Sequence, residues 1–152
     1  MGWLHWLRRR WQVVHVPEMV WEELRRRSNA TDWEHLEDAR CQGWLRVLVV
    51  SDFSSLPPAA DDLHAGEREA LALAKELQAG WLLMDEREGR QVAHEMGLKV
   101  TGTVGIVLWA KTQGLIPTAR DALIELRQKA RFFLKDELIQ EIVRLAGEDV
   151  AN

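Results

Sequence analysis

The sequence has very little cysteine and no long hydrophobic run. Cys41 is its only cysteine, so one chain can form neither an internal disulfide nor a thiolate metal cluster, and we expect Cys41 to pack as a neutral side chain. The longest uninterrupted apolar stretches, such as residues 47–50 and 81–84, fall far short of the about 20 residues that a membrane-spanning helix needs. We therefore expect no segment that crosses a membrane.

Glycine and proline are also scarce, at 10 and 4 residues, and no low-complexity tract is present. This composition excludes collagen-like, linker-like and disordered chains. Instead, 47% of the 152 residues are hydrophobic, which is enough for the core of one domain. The amino terminus places apolar residues before its arginines and has no small-residue cleavage site, the reverse of a secretory signal. We expect a single domain over residues 1–152, located in the cytoplasm.

Charge is unevenly distributed, although the net charge is only −4. Arginines outnumber acids between residues 1 and 27, whereas acids outnumber arginines between residues 28 and 69. A basic flank beside an acidic centre is typical of a metal-dependent enzyme that acts on a phosphate polymer. Ordinary solvated helix faces would give the same pattern.

Hydrophobic periodicity predicts strands that alternate with helices. The predicted strands are residues 11–16, 44–50, 81–84 and 98–100. The predicted helices are residues 17–27, 67–78, 86–95, 104–111, 117–129 and 136–146. Thr31 or Asp32 is expected to cap a further short helix, and the apolar run 44–50 is expected to be buried on both faces. The alternation predicts an α/β fold, a three-layer α/β/α sandwich around a mainly parallel sheet.

Several acids follow these predicted strands or open the neighbouring helices. Ligands bind at the edge of a parallel sheet where strands end and helices begin. Asp85 follows a strand, Glu67 and Glu69 lie in the first turn of the preceding helix, and Glu23 lies on the second turn of an earlier helix. Thr103 is a cap candidate at the same edge. Glu23, Glu69 and Asp85 are therefore expected to meet there.

Carboxylates that converge in this way repel one another unless a cation neutralises them. Hard oxygen donors without Cys or His suit Mg²⁺ or Mn²⁺, and such an ion activates water for attack on a phosphodiester. Structural explanations remain open for each acid. The helix dipole favours Glu67 and Glu69, Glu23 can pair with Arg27, and Asp85 can cap the next helix.

Four segments, in order along the chain, carry a family resemblance. They are Val16-Pro-Glu-Met-Val-Trp-Glu-Glu-Leu, Leu63-His-Ala-Gly-Glu-Arg-Glu-Ala-Leu-Ala-Leu-Ala, Trp81-Leu-Leu-Met-Asp-Glu and Thr101-Gly-Thr-Val-Gly-Ile-Val. Together they resemble PIN-like proteins related to toxin-type (VapC-like) ribonucleases, over nearly the whole chain. The resemblance implies an α/β/α sandwich, cleavage of RNA that depends on Mg²⁺ or Mn²⁺, and for many members a toxin paired with an antitoxin protein.

The same resemblance implies roles for individual residues. Glu23, Glu69 and Asp85 match the catalytic and metal-binding acids of the family, and Glu67 is a neighbouring candidate ligand. The basic flank, rather than the resemblance, predicts that Arg8, Arg9 and Arg10 contact RNA, and Thr103 at the sheet edge is a further predicted RNA contact. RNA, an antitoxin and a second copy of the chain are the expected partners.

One feature of the family is absent from residues 1–152. The family begins with a central strand that ends in a metal-binding acid, whereas Met1 lies within the helix that follows that strand. The strands on either side are then expected to have unpaired edges. Three explanations stay open: a start upstream of Met1, a strand supplied by another chain, or an inactive protein. The alternative function is therefore a catalytically impaired module that binds RNA or a partner protein.

Overall fold

The structure, a computed structural model, describes residues 2–129 and 133–148. The helices in these residues are α1 (Gly2–Arg10), α2 (Glu18–Arg27), α3 (Ala30–Cys41), α4 (Ala65–Glu76), α5 (Arg87–Glu95), α6 (Thr103–Thr112), α7 (Ala119–Lys129) and α8 (Asp136–Leu145). The strands are β1 (Val14–Pro17), β2 (Leu45–Leu48), β3 (Leu82–Leu83) and β4 (Val100–Thr101). The chain divides into two compact units, Met1–Thr101 and Gly102–Asn152. A single domain over the whole chain stays a prediction.

The strands of the first unit form two parallel pairs. β1 pairs with β2, with Val14 opposite Leu45, and β3 pairs with β4, with Leu82 opposite Val100. Within residues 2–101, each strand therefore has one partner and one unpaired edge. α4 packs against both β1 and β3, so the two pairs share one helix. The parallel pairing confirms the α/β prediction, whereas the missing first strand stays a prediction.

α2 begins directly after β1. Pro17, predicted as the first helical residue, is instead the last residue of β1 and the N-cap of α2, with an extended backbone (φ −61°, ψ 149°). A φ near −61° occurs in both helices and extended segments, so the extended ψ of 149° is what places Pro17 in the strand. Trp21 on α2 is buried and joins an apolar cluster with β1, α3 and β2. The other buried members of that cluster are Val16, Leu36, Ala39, Trp44 and Leu45.

Three sequence expectations around α3 and β2 are wrong. Asn29 rather than Thr31 or Asp32 is the N-cap of α3, because its Oδ1 accepts the N–H of Asp32 at 2.9 Å. Cys41 ends α3 and is exposed. The run 44–50 is not buried on both faces, since Val49 just after β2 is 71% exposed. His15 of β1 and Arg46 of β2 lie opposite each other and are both exposed, so one face of this strand pair meets solvent.

α4 contributes four consecutive buried apolar residues, 71–74, to the core of the first unit. It begins at Ala65, two residues before the predicted start, with His64 as its N-cap. Leu71 is completely buried and packs in one cluster with Leu82, Met84 and residues of α5. Leu73 packs on the other side, in a cluster that includes Val50. α4 is therefore the helix on which the strands and α5 assemble.

The second unit consists of α6, α7 and α8 within its described residues. Gly102 is the N-cap of α6, with an extended backbone (φ −117°, ψ −176°), so the prediction of Thr103 as the cap is wrong. The carboxylate of Glu148 accepts the N–H groups of Ala119 and Arg120 at the start of α7. Burial opposes ionisation of Glu148, but these N–H groups and the nearby Lys111 outweigh it and lower the pKa of the carboxyl.

Two further predictions concern the segment 132–134 and the possibility of a membrane-spanning helix. The segment 132–134 is expected to be extended or a turn; Phe132 lies outside the described residues, and residues 133–134 are in neither a helix nor a strand. The helices in the described part of the chain all lack the length and apolar character needed to cross a bilayer.

Candidate functional site

An open cleft of about 870 Å³ lies where α2, the start of α4 and the end of β3 come together. Acidic side chains line much of it, and two arginines of α2 stand beside them. The charged lining residues are Glu23, Arg26, Arg27, Glu67, Asp85 and Glu86. From the sequence, the acids are expected to meet at this edge of the first unit.

Glu23 faces the cleft because of its position on α2. Val20, Glu23 and Arg27 are separated by three and four residues and so share one face of the helix. The carboxylate of Glu23 lies against the first turn of α4, at Gly66. A Cβ atom at Gly66 would lie 3.0 Å from Oε1 of Glu23 and 3.3 Å from Oε2. The missing side chain at Gly66 therefore makes room for the carboxylate beside a helix N-terminus, which favours negative charge.

Asp85 reaches the cleft from the end of β3. The N–H of Met84 donates to the carbonyl oxygen of Thr101 at 3.0 Å, which ties this end of β3 to β4. The carbonyl oxygen of Met84 accepts Nη1 of Arg90 on α5, also at 3.0 Å. Met84 is buried, whereas Asp85 is exposed to the cleft. Met84 is thus held through both its N–H and its carbonyl oxygen. These two hydrogen bonds fix the position of the next residue, Asp85.

Glu67 and Glu69 make different contacts although both lie near the start of α4. Oε2 of Glu67 accepts the N–H of His64 at 3.1 Å, and Glu67 lines the cleft. Oε2 of Glu69 accepts the N–H of Met19 at 3.1 Å, in the first turn of α2, and Glu69 is outside the cleft lining. Because α4 starts at Ala65, Glu69 lies in its second turn rather than its first. Glu69 thus connects α4 to the start of the helix that carries Glu23.

The structure therefore brings three of the predicted acids, Glu23, Glu67 and Asp85, to one cleft. Glu69 lies at the adjoining contact between α2 and α4. A family model described as PIN domain matches residues 1–148. The chain belongs to the PIN domain family. No curated protein and no solved structure matched the chain.

PIN domains are generally nucleases that bind RNA, and they typically depend on a divalent metal. The α/β fold with short parallel strands agrees with the α/β/α sandwich of this family. The family match supports the resemblance stated from the sequence, whereas the narrower relation to VapC-like toxins stays a prediction.

The acids of this PIN domain have the donor chemistry of a hard divalent cation. Carboxylate oxygens are the protein ligands that Mg²⁺ prefers. Among the residues that the structure describes, however, no three His, Cys, Asp or Glu side chains are grouped closely enough to hold a metal ion by themselves. The carboxylates of the cleft are suitable ligands for Mg²⁺, but the described side chains do not supply every ligand by themselves.

The arginines predicted to contact RNA lie away from the cleft. Nη1 of Arg8 donates to Oε1 of Gln42 at 2.7 Å, and the exposed Arg9 also lies outside the cleft lining. The guanidinium of Arg10 lies over the rings of Trp11 and Trp81, at 4.5 and 5.5 Å from their centroids. Its partial burial lowers the pKa of Arg10.

Thr103 belongs to the second unit, where it opens α6. RNA contacts by Thr103 and by the arginines of α1 stay predictions.

Two arginines that do line the cleft are missing from the residues predicted to contact RNA. Arg26 and Arg27 follow Glu23 by three and four residues, and this helical spacing is the signal that could have placed them beside it. From the sequence they belong to the basic flank of residues 1–27, and ion pairing with the glutamates of α2 is one explanation for them. In the structure, Nε of Arg26 donates to the carbonyl oxygen of Glu22 at 3.2 Å, a backbone contact.

Proposed function

We propose that this PIN domain hydrolyses RNA phosphodiester bonds at the cleft, with Mg²⁺ or Mn²⁺ as its cofactor. The observation that supports this function is the position of Glu23, Glu67 and Asp85 around one open cleft beside two arginines. The acids suit a cation, the arginines suit phosphate groups, and an open cleft accepts a polymer.

Glu23 and Asp85 are the residues that would hold the ion, with Glu67 beside them. Mg²⁺ in proteins is commonly held by one or two carboxylates together with water and substrate phosphates, so a pair of acids is a sufficient protein contribution. When bound, the ion polarises the phosphodiester and lowers the pKa of a water molecule.

The other residues of the chain act by positioning. Gly66 leaves the space that the Glu23 carboxylate occupies, and Arg90 anchors the end of β3 next to Asp85. Glu69 fixes the first turn of α2 through the N–H of Met19. We assign Glu69 this positioning role, in addition to the catalytic and metal-binding role that the family resemblance implies.

A cleavage assay with purified full-length chain tests the proposal. Labelled RNA is incubated with wild type and with Asp85→Asn, in Mn²⁺ and in EDTA. We expect cleavage that requires Mn²⁺ and falls at least about 100-fold in Asp85→Asn, because the variant loses a negatively charged ligand. Circular dichroism checks that the variant is folded.

Glu88→Gln is the matched control, since Glu88 is an exposed acid of α5 outside the cleft lining. Its cleavage rate should equal that of wild type. Equal rates in wild type and Asp85→Asn, or no cleavage with any divalent cation, would contradict the proposed function.

The second candidate function is a module that binds RNA or a partner protein without catalysis. Two observations favour it: no three described side chains group as metal ligands, and β1 and β3 each keep an unpaired edge within residues 2–101. Unpaired edges accept a strand from another polypeptide. Cleavage that requires both Mn²⁺ and Asp85 would rule this candidate out. The toxin role, the antitoxin partner and a homodimer stay predictions.

A further inference from the structure

A second groove lies next to the acidic cleft and shares Asp85 with it. This groove has a volume of about 560 Å³, and apart from Asp85 its lining side chains come from α5. A ligand in contact with Asp85 therefore lies at the margin of both concavities.

Basic side chains belong to the linings of both concavities. In the cleft they are Arg26 and Arg27, at the end of α2. In the groove Arg87, Arg90 and His94 are separated by three and four residues, so they share one face of α5. Asp85 therefore shares one lining with the arginines of α2 and the other with the basic side chains of α5.

These arginines are available to a ligand to different degrees. Arg90 is half-buried and held by the carbonyl oxygen of Met84. Arg27 and Arg87 are exposed, and neither makes a side-chain hydrogen bond or an ion pair with any other residue that the structure describes. The N–H donors of surface arginines without an acidic partner are open to phosphate groups.

We propose that one RNA strand crosses the site from the arginines of α2, past Asp85, to the basic face of α5. This inference rests on the proposed function and adds the path of the substrate. Acids at the centre repel phosphates, so a polyanion needs cations on either side to bind across them. Arg27 and Arg87 contact the phosphates that flank the cleaved bond.

RNA binding without cleavage tests this path. Fluorescence anisotropy measures the affinity of the full-length chain for a labelled single-stranded RNA in EDTA, between about 50 and 200 mM salt. The path variant is Arg27→Ala/Arg87→Ala. Removing one arginine that binds a phosphate of a single strand reduces the salt slope by about 0.7, or about fivefold in affinity near 0.1 M salt. We therefore expect a roughly 25-fold weaker affinity for the double variant.

The matched control is Arg46→Ala/Arg144→Ala, which removes the same charge from exposed arginines outside the linings of the cleft and the groove. Its affinity and salt slope should stay at the wild-type values. Arg27→Lys/Arg87→Lys should keep the wild-type slope, because the slope depends on charge. A control variant that loses as much affinity as the path variant would overturn the proposal, and so would a path variant that binds like wild type. Binding is measured in EDTA and therefore does not need the metal cofactor. A chain that binds RNA along this path but never cleaves it would refute the proposed hydrolysis and leave the proposed path standing.

Discussion

Replacing Gly66 by alanine should displace Glu23 without changing any charge. Gly66 is the second residue of α4, and its missing side chain gives the Glu23 carboxylate its place. A methyl group there would lie 3.0 Å from Oε1 of Glu23 and 3.2 Å from Cγ2 of Val20. Both distances are tighter than ordinary van der Waals contact, so the carboxylate at the end of the flexible Glu23 side chain has to move by a few tenths of an ångström.

The two expected effects of this substitution have different sizes. Alanine in place of glycine within a helix gains about 0.5–1 kcal/mol, and the crowding against Val20 and Glu23 offsets part of that gain. The free energy of unfolding should therefore stay within about 1 kcal/mol of wild type. A misplacement of about 1 Å in a catalytic group can cost about 100-fold in rate, so a smaller shift should cost roughly threefold to tenfold.

RNA cleavage in Mn²⁺ and urea unfolding of the same preparations separate the two effects. Gly80→Ala is the control, because a Cβ atom at Gly80 meets nothing within 4 Å. We expect Gly80→Ala to cleave RNA at the wild-type rate and Gly66→Ala to cleave more slowly at nearly unchanged stability. Equal cleavage rates in the two variants would refute the placement of Glu23 against α4.

Two further predictions concern carboxylates that accept backbone N–H groups. Glu69→Ala should lower the free energy of unfolding by about 1–2 kcal/mol, because the N–H of Met19 loses its acceptor, and Glu69→Gln should lower it less because an acceptor oxygen remains. Urea unfolding measures both, and wild-type stability in Glu69→Ala would contradict the hydrogen bond. Glu148→Gln should weaken the amide hydrogen-exchange protection of Ala119 and Arg120 at neutral pH. Because the fold lowers the pKa of Glu148 from its ordinary value of 4.5, its stabilisation is present above that value and is lost as the pH falls through the lowered pKa. The variant and wild type should then converge in acid, and a difference that persists there would contradict the assignment.

The helices and the cleft edge could be predicted from the sequence because they depend on local patterns. Apolar residues at helical spacing indicated α2, α4 and α5, and the rule for parallel strands placed Glu23 and Asp85 at the same edge. The errors near helix starts are also local. The φ of proline occurs in both strands and helices, so the sequence does not show on which side of the boundary Pro17 lies. Asn29, Thr31 and Asp32 are all good N-cap residues, so the sequence does not show which of them caps α3.

Long-range contacts could not be predicted in the same way. The acceptor of the Met19 N–H is Glu69, 50 residues away, and no periodicity reveals that pair. The pairing of the four strands into two separate pairs likewise depends on which edges meet in space. Charge along the chain drew attention to Arg8 and Arg9, whereas Arg27 lies beside the acids because of the face of α2 that it shares with Glu23.

Calorimetric titration of Mn²⁺ into wild type and Asp85→Asn shows whether the acids of the cleft hold the proposed divalent cation. We expect a saturable binding heat in wild type that is abolished or strongly weakened in Asp85→Asn and unchanged in Glu88→Gln. Identical Mn²⁺ binding in wild type and Asp85→Asn would contradict the proposed metal site.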